Sequence, residues 1–411
     1  MIAATLPEEV KADLERIGAA ELIVGLATDG PSPTVPAVGA AIRAGLETHF
    51  PGHAVAVIHV DSAASAETVA QLTPGLGDLR TVHVRPPHHS TDVELERSEA
   101  VERILDLGRR LEARAIVVLN SDSAGTTADW VQALGEPVLK EGYGLVLPIY
   151  QRNRYEGTLT QTVVVPFVRA LFGRQLVHPL AGEFACSGDA ADFLLKQDVW
   201  STDLGRHGLE FWLPVAAIER GLPLGQAVLG RRIVSPQRHL EPLGHAVGRV
   251  ASALFSLAER FETAWLDVRG SEAVRTFGAP PEPLMESAAI DPERMQVGFR
   301  QGVRDLLPIW ERILAPENLG DVLALGERSP EGFRFRDRLW ARVVYDFLLA
   351  YRTRVVYRSH AAQALAPLYL GRAASLVLQT RHRPASVMTQ TAERLGRAFE
   401  EEKPYLVDRW R

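Results

Sequence analysis

The sequence predicts an α/β protein in which a parallel sheet, covered by helices on both faces, is followed by a helical carboxyl-terminal region. Three observations carry this expectation. Short apolar runs alternate with amphipathic stretches through the first third of the chain, as a sheet buried on both faces requires. After His245 apolar residues recur instead at three- and four-residue spacing, the mark of amphipathic helices. The 411 residues correspond to between two and three domains of roughly 150 residues. The change of pattern divides them into 1–245 and 246–411.

Each element follows from its residues. Met1 to Ala20 reads as an amphipathic helix, without the basic start and continuous apolar core of a signal peptide. ELIVGLA (21–27) is the first strand, and a Gly/Pro/Ser turn leads into a helix from about Thr34 to His49. HAVAVIHV (53–60) is the second strand and ends at Asp61; LRTVHVR (79–85) is the third. A long charged helix occupies 93–113, and ARAIVVLN (113–120) is the fourth strand, ending in Asn120-Ser121-Asp122-Ser123. From about Leu145 to Val234 the pattern is mixed, with VLPIY (146–150), a helix through 167–173, and PLAGEFACSGD (179–189). Helices are expected at 247–265, 295–314 and 335–353, and GAPPEPLMES (278–287) reads as a linker between the first two. The stripe Trp340, Val344, Phe347, Tyr351 is expected to be core packing.

Composition narrows the function classes. Forty-five basic against fifty-one acidic residues give a net charge of −6, no footprint for nucleic acid. The single cysteine, Cys186, cannot form an internal disulfide. No run approaches the ~20 uninterrupted apolar residues of a membrane span, so a cytoplasmic chain is expected. GxGxxG at the first strand, GxxxxGK[ST], HExxH, GxSxG and a zinc-type cysteine pair are all missing, which disfavours dinucleotide, P-loop and zinc chemistry. Only four lysines (Lys11, Lys140, Lys196, Lys403) and three asparagines (Asn120, Asn153, Asn318) are present, so arginine supplies nearly all the positive charge.

Open α/β sheets bind ligands at the carboxyl ends of their strands. Thr28, Asp61 and Asn120–Asp122 should therefore converge on one crevice. Asp122 can hold a divalent cation against a nucleotide diphosphate, since hard oxygen ligands suit Mg2+ or Mn2+, or it can simply cap the next helix. Asp61 can bind a ribose or base, or serve as a turn residue. Glu183 and Glu210 can bind a polyhydroxylated substrate or lie solvated. His88-His89, as neighbours in sequence, do not offer both rings to one metal. Arg152, Arg154 and Tyr155 cluster after a strand and can grip phosphate or carboxylate, or form an ordinary loop.

Taken in order, these pieces resemble the GT-A glycosyltransferases, which have a Rossmann-like nucleotide-diphospho-sugar domain. Within them they are similar to the mannosylglycerate synthase and glucosyl-3-phosphoglycerate synthase group. IVGLATDGPSPTVPAVGAAIRAGL (23–46) looks like the first strand and helix, VIHVDSAAS (57–65) like the segment with the nucleotide-binding acid, and VVLNSDS (117–123) like the DXD strand. VLPIYQRNRYEGTLTQ (146–161) looks like the following substrate segment. HPLAGEFACSGD (178–189) resembles the PLGGE stretch, and GRHGLEFWLPVAAIERG (205–221) the acceptor-side helix. LWARVVYDFLLAY (339–351) and APLYLGRAASLV (366–377) resemble the helical part of longer relatives.

The resemblance implies retaining transfer of a hexose from a nucleotide sugar to a small polar acceptor such as glycerate. Thr28, Asp61, Asn120, Asp122 and Gly182 would bind the nucleotide sugar. Glu183 and Glu210 would act on the sugar and acceptor hydroxyls, and Arg152, Arg154 and Tyr155 would bind the acceptor. Three departures weaken the implied Mg2+ or Mn2+ site at Asp122. Asn120 replaces the first acid of the DXD; the late histidine position falls near Val234 or Ser235, with His239 and His245 close by; and no GKG lysine precedes the DXD strand. Leaving-group charge would then fall to arginines such as Arg152 and Arg154. Two functions stay open, an active transferase and a non-catalytic descendant that binds a nucleotide, sugar or partner protein. The apolar helical part makes a homodimer a reasonable expectation.

Overall fold

The computed structural model describes residues 6–85, 93–179, 182–233, 242–279, 281, 284 and 290–411. They form two compact units. One comprises Met1–Gln151, His178–His239 and Val274–Pro281, the other Arg152–Val177, Leu240–Ala273 and Glu282–Arg411.

The first unit is built on an eight-stranded sheet. Its strands are β1 (Leu22–Thr28), β2 (Val55–Asp61), β3 (Thr81–Val84), β4 (Ala115–Asn120), β5 (Leu145–Gln151), β6 (Phe184–Ser187), β7 (Leu224–Arg231) and β8 (Arg275–Phe277). Their spatial order is β8-β7-β5-β6-β4-β1-β2-β3. Every residue of β1 and β4 is buried, which explains why both read as unbroken apolar runs. The helices of this unit are α1 (Glu8–Ile17), α2 (Val35–His49), α3 (Ala66–Leu76), α4 (Val93–Arg110), α5 (Ala128–Glu141), α6 (Gly188–Leu195), α7 (Asp203–His207) and α8 (Leu209–Arg220). Residues of α2, α3 and α5, among them Val38, Ile42, Leu72, Trp130 and Leu134, pack with β1, β4 and β5 in one apolar core.

Two features differ from the sequence expectation. The sheet is not wholly parallel, because β6 runs antiparallel between β4 and β5. Its short, fully apolar FAC run carries no directional signal, so orientation could not be read from it. The chain after His245, expected to be nearly all helical, also contributes β8, just ahead of the 278–287 linker stretch, and β8 pairs in parallel with β7 through Arg275↔Gly225 and Phe277↔Ala227.

The second unit is helical. Its longer helices are Leu243–Arg260, Pro292–Asp305, Asp337–Thr353, Ala366–Thr380 and Val387–Trp410. Trp340, Val344, Phe347 and Tyr351 are all buried. Segment 152–177, placed by sequence with the sheet, packs here instead. Trp340 Nε1 donates to the Thr162 carbonyl at 2.7 Å, and Arg169 pairs with Glu393 and Glu400. Among the described residues one stretch, Arg358–Thr380, is long and apolar enough to cross a membrane, and 78% of its most apolar window is buried in the protein. That burial is what a core helix shows.

Candidate functional site

Strand register sets the site. Thr28 pairs with Asp61 and Ala27 with Asn120, so the ends of β1, β2 and β4 lie level with one another. Because β6 is antiparallel, with Phe184 opposite Val118, its amino end shares that edge. Gly182 and Glu183 therefore stand beside Asn120 even though they precede their strand. Arg232 directly follows β7, and Glu210 lies in the first turn of α8.

Three contacts fix the loop after β4. Thr34 Oγ1 donates to the Ser121 carbonyl, and Ala124 N donates to the Ile233 carbonyl at 2.9 Å. A Cβ on Gly125 would sit 2.2 Å from the Arg231 carbonyl oxygen, so only glycine permits this approach. The result aligns Asp122 with Arg232, whose Nη2 is 3.6 Å from Asp122 Oδ1 and 3.7 Å from Glu183 Oε1. Burial opposes the charge of Arg232, but Glu183, Tyr150, Asp122 and Glu210 together hold its proton more tightly than usual. The Arg232 guanidinium also lies 5.6 Å from the Tyr150 ring centroid.

Glu183 is completely buried. It accepts from the Tyr150 hydroxyl and, at 3.4 Å, from Asn120 Nδ2. The backbone N–H of Tyr150 in turn donates to His178 Nδ1 at 3.1 Å. Glu210 is more accessible and accepts from Arg97 Nη1 on α4. A Cβ on Gly182 would fall 2.2 Å from Asn120 Nδ2, 3.1 Å from Arg97 Nη2 and 3.3 Å from Arg232 Nη2. Bare backbone is required where these three side chains meet.

Asp61 belongs to the same edge but is already engaged. Its Oδ1 accepts from Thr28 Oγ1 at 2.8 Å and Gly30 N at 3.0 Å, and its Oδ2 from Ser65 N at 2.7 Å. It thus ties together the loops that follow β1 and β2, and a nucleoside contact would have to use a remaining lone pair. Behind it, Thr28 Oγ1 is 2.9 Å from His59 Nε2, and His59 Nδ1 is 3.0 Å from His83 Nδ1.

The structure thus brings together Asn120, Asp122, Gly182, Glu183 and Glu210, with Thr28 and Asp61 on the same edge. The described contacts of Arg152, Arg154 and Tyr155, read as acceptor-binding from the sequence, lie within the helical unit. These three belong to the helical unit. Arg154 is buried there, with Nη2 donating to the carbonyls of Arg383 and Pro384 at 2.7 and 3.2 Å. The Tyr155 hydroxyl bonds Thr380 Oγ1 at 3.0 Å, and the Arg152 guanidinium lies against Gly157.

No lysine reaches the crevice edge through any described contact. Lys11 pairs with Glu8 and Lys140 with Glu136, Lys196 is exposed at the end of α6, and Lys403 is buried in the helical unit. Arg97 and Arg232 supply the positive charge instead, and sequence reasoning missed both. His88, His89, Val234, Ser235 and His239 lie outside the described residues, while His245 is exposed near the start of helix Leu243–Arg260.

Fold and site together describe a mixed α/β sheet with a polar, arginine-bearing cluster at its strand ends and a helical carboxyl-terminal region. No protein-family model matches the chain, and no curated protein does. Solved structures do. One is glucosyl-3-phosphoglycerate synthase from Mycobacterium tuberculosis in complex with phosphoglyceric acid, at 21% identity and TM-score 0.44, with 61% of this chain and 82% of that one covered. The same enzyme with Mn2+, uridine diphosphate and phosphoglyceric acid matches at 22% identity and TM-score 0.43, covering 61% and 81%. Its complex with Mg2+ and uridine diphosphate matches at 22% and 0.43, covering 61% and 82%.

Proposed function

We propose that the chain is a GT-A-type glycosyltransferase that moves a hexose from a nucleoside diphosphate sugar to a small polar acceptor such as glycerate, with retention. One observation carries this reading. Asn120, Asp122, Gly182, Glu183 and Glu210, the crevice positions picked out by the motif resemblance, meet with two arginines at the carboxyl edge of the sheet, where such folds bind ligands. In the reaction the bond from the anomeric carbon to the phosphate oxygen breaks, and its electron pair leaves with the diphosphate. A bond forms from the acceptor oxygen to that carbon, and the acceptor proton is released.

The residues divide the work by exposure. Glu183, sealed under Tyr150 and Asn120, positions the sugar side of the crevice and balances Arg232. Glu210 is the more exposed carboxylate and faces the acceptor hydroxyl. The partly buried Arg97 and Arg232 stabilise charge as it develops on the departing diphosphate. The second reading, a non-catalytic binding protein, is favoured by the engagement of Arg154 and Tyr155 in contacts inside the helical unit.

Calorimetric titration with UDP-glucose and GDP-mannose, followed by assay of nucleoside diphosphate release with glycerate and 3-phosphoglycerate, tests the proposal. Binding together with acceptor-dependent release supports the transferase. Binding without release from either donor leaves the non-catalytic reading.

A further inference from the structure

A diphosphate in a GT-A crevice is ordinarily met by a divalent cation, and the described residues of this crevice do not fit one. Mg2+ demands near-octahedral oxygen ligation at about 2.0–2.1 Å. Among the described residues no group of three or more His, Cys, Asp or Glu side chains could hold a metal ion. At the end of β4 the first motif position is Asn120, which turns its amide nitrogen to Glu183. The second, Asp122, has a guanidinium nitrogen 3.6 Å from Oδ1, and the same nitrogen is 3.7 Å from Glu183 Oε1. A metal ion drawn to either carboxylate would meet that like charge at close range in a partly buried setting, where repulsion is weakly screened.

The same arginine suits an anion. Both of its carboxylate contacts are longer than hydrogen bonds. Its Nε is buried with no hydrogen-bond partner among the described residues. Arg232 is thus held in place by charge while its donors are not consumed. Arg97 joins it: the direction in which a Gly182 Cβ would point is flanked by Arg97 Nη2 at 3.1 Å and Arg232 Nη2 at 3.3 Å. Two guanidinium groups therefore border one stretch of bare backbone, and planar guanidinium matches phosphate oxygens two at a time.

We infer that Arg232 and Arg97 hold the nucleotide diphosphate in place of a divalent cation, so that nucleotide binding at this crevice is independent of metal. The inference rests on the nucleotide-sugar reading proposed above. The ammonium of the missing GKG lysine and the metal charge are both replaced, in this account, by arginines from α4 and from the end of β7.

The test uses the full chain and calorimetric titration of UDP and GDP, in EDTA and in MnCl2. For the nucleotide that binds, the expected dissociation constants in the two buffers agree within about twofold, far less than the tenfold that one strong contact is worth. Arg232→Lys keeps a cation between Asp122 and Glu183 but removes the bidentate fork, and Arg97→Gln removes the second guanidinium. Each is expected to weaken binding in EDTA by about tenfold, the scale of one charge-assisted contact, with Mn2+ giving no recovery and circular dichroism unchanged. If either variant misfolds, the wild-type comparison in EDTA and MnCl2 decides the matter alone. Nucleotide binding only in MnCl2 overturns the inference and leaves the nucleotide-sugar reading intact. Folded variants that bind as tightly as wild type also overturn it. Failure of both nucleotides to bind in either buffer overturns the inference and the nucleotide-sugar reading together.

Discussion

The Arg97 guanidinium donates to Glu210 Oε1, joining α4 to the first turn of α8 across 113 positions of sequence. Glu210 is therefore held by a cation that itself borders the crevice. Glu210→Gln is expected to leave UDP-sugar affinity within a few-fold of wild type while lowering transfer to the acceptor by about 100-fold, a typical scale for removing a general-base group. Parallel titration and product-release assays check it. A comparable loss of donor affinity would place Glu210 on the donor side instead.

Gly182→Ala is a steric test of the same cluster. The added methyl would meet Asn120 Nδ2 at 2.2 Å and press on both arginines. Nucleotide affinity is expected to fall by tenfold or more, equivalent to about 1.4 kcal/mol, as Asn120 and the arginines are displaced. An unchanged affinity would show that the nucleotide does not use this part of the crevice.

The histidine pair behind Asp61 gives a pH prediction. Burial, then the neighbouring His83 and Arg85, pull His59 from the ordinary 6.5 down to about 4, with Asp61 acting in the opposite direction. Burial likewise lowers His83. Burial thus favours the neutral form of both rings. With Thr28 donating to Asp61, the consistent proton order runs from His83 Nδ1–H to His59 Nδ1, and from His59 Nε2–H to Thr28 Oγ1. Below pH 6.5 the unfolded chain takes up the proton that folded His59 refuses. Stability is thus full above about 6.5 and is lost as pH falls toward 4, by roughly 3 kcal/mol for His59. Urea unfolding at a series of pH values measures this slope, and His59→Gln should flatten it.

Lys403 spends its charge on the fold. Its ammonium donates to the carbonyls of Trp265, Val268 and Leu171 at 2.6, 2.7 and 3.3 Å, and burial lowers it to about 8 against the opposing pull of Asp267 and Glu400. Lys403→Met leaves three carbonyls without their donor and is expected to cost about 2–4 kcal/mol. Chemical denaturation checks the loss, and nucleotide affinity should not change in the folded fraction.

Arg154→Met separates a structural role for this arginine from the acceptor-binding role read from the sequence. The two carbonyls it serves, those of Arg383 and Pro384, lose a charged donor, so stability should fall by about 1–3 kcal/mol. The KM for glycerate should stay unchanged. A raised KM with unaltered stability would restore Arg154 to the acceptor site.

The strands that carry the crevice were legible because β1, β2 and β4 are short apolar runs ending in polar residues, a local pattern. Asn120, Asp122 and Glu183 were legible from the motifs around them. Arg97 was not, because in VELERSEAVER it looks like one more charge on a solvated helix face; only the packing of α4 turns it toward Glu210. Arg232 was hidden in an Arg-Arg pair, with nothing local to separate it from Arg231. The antiparallel course of β6 and the attachment of 152–177 to the helices depend on partners far along the chain. Windowed patterns carry no information about such partners.

The distribution of lysine has a practical consequence. Of the four, Lys11, Lys140 and Lys196 lie on α1, α5 and the end of α6, and Lys403 is enclosed. Amine-directed reagents, whether fluorophores, crosslinkers or activated sensor surfaces, would therefore attach at the periphery and spare the guanidinium-lined crevice. Arginine-directed dicarbonyls would reach Arg97 and Arg232 as well as the many more exposed arginines, so ligand protection at the crevice is read residue by residue, with amine labelling as the control for general reactivity.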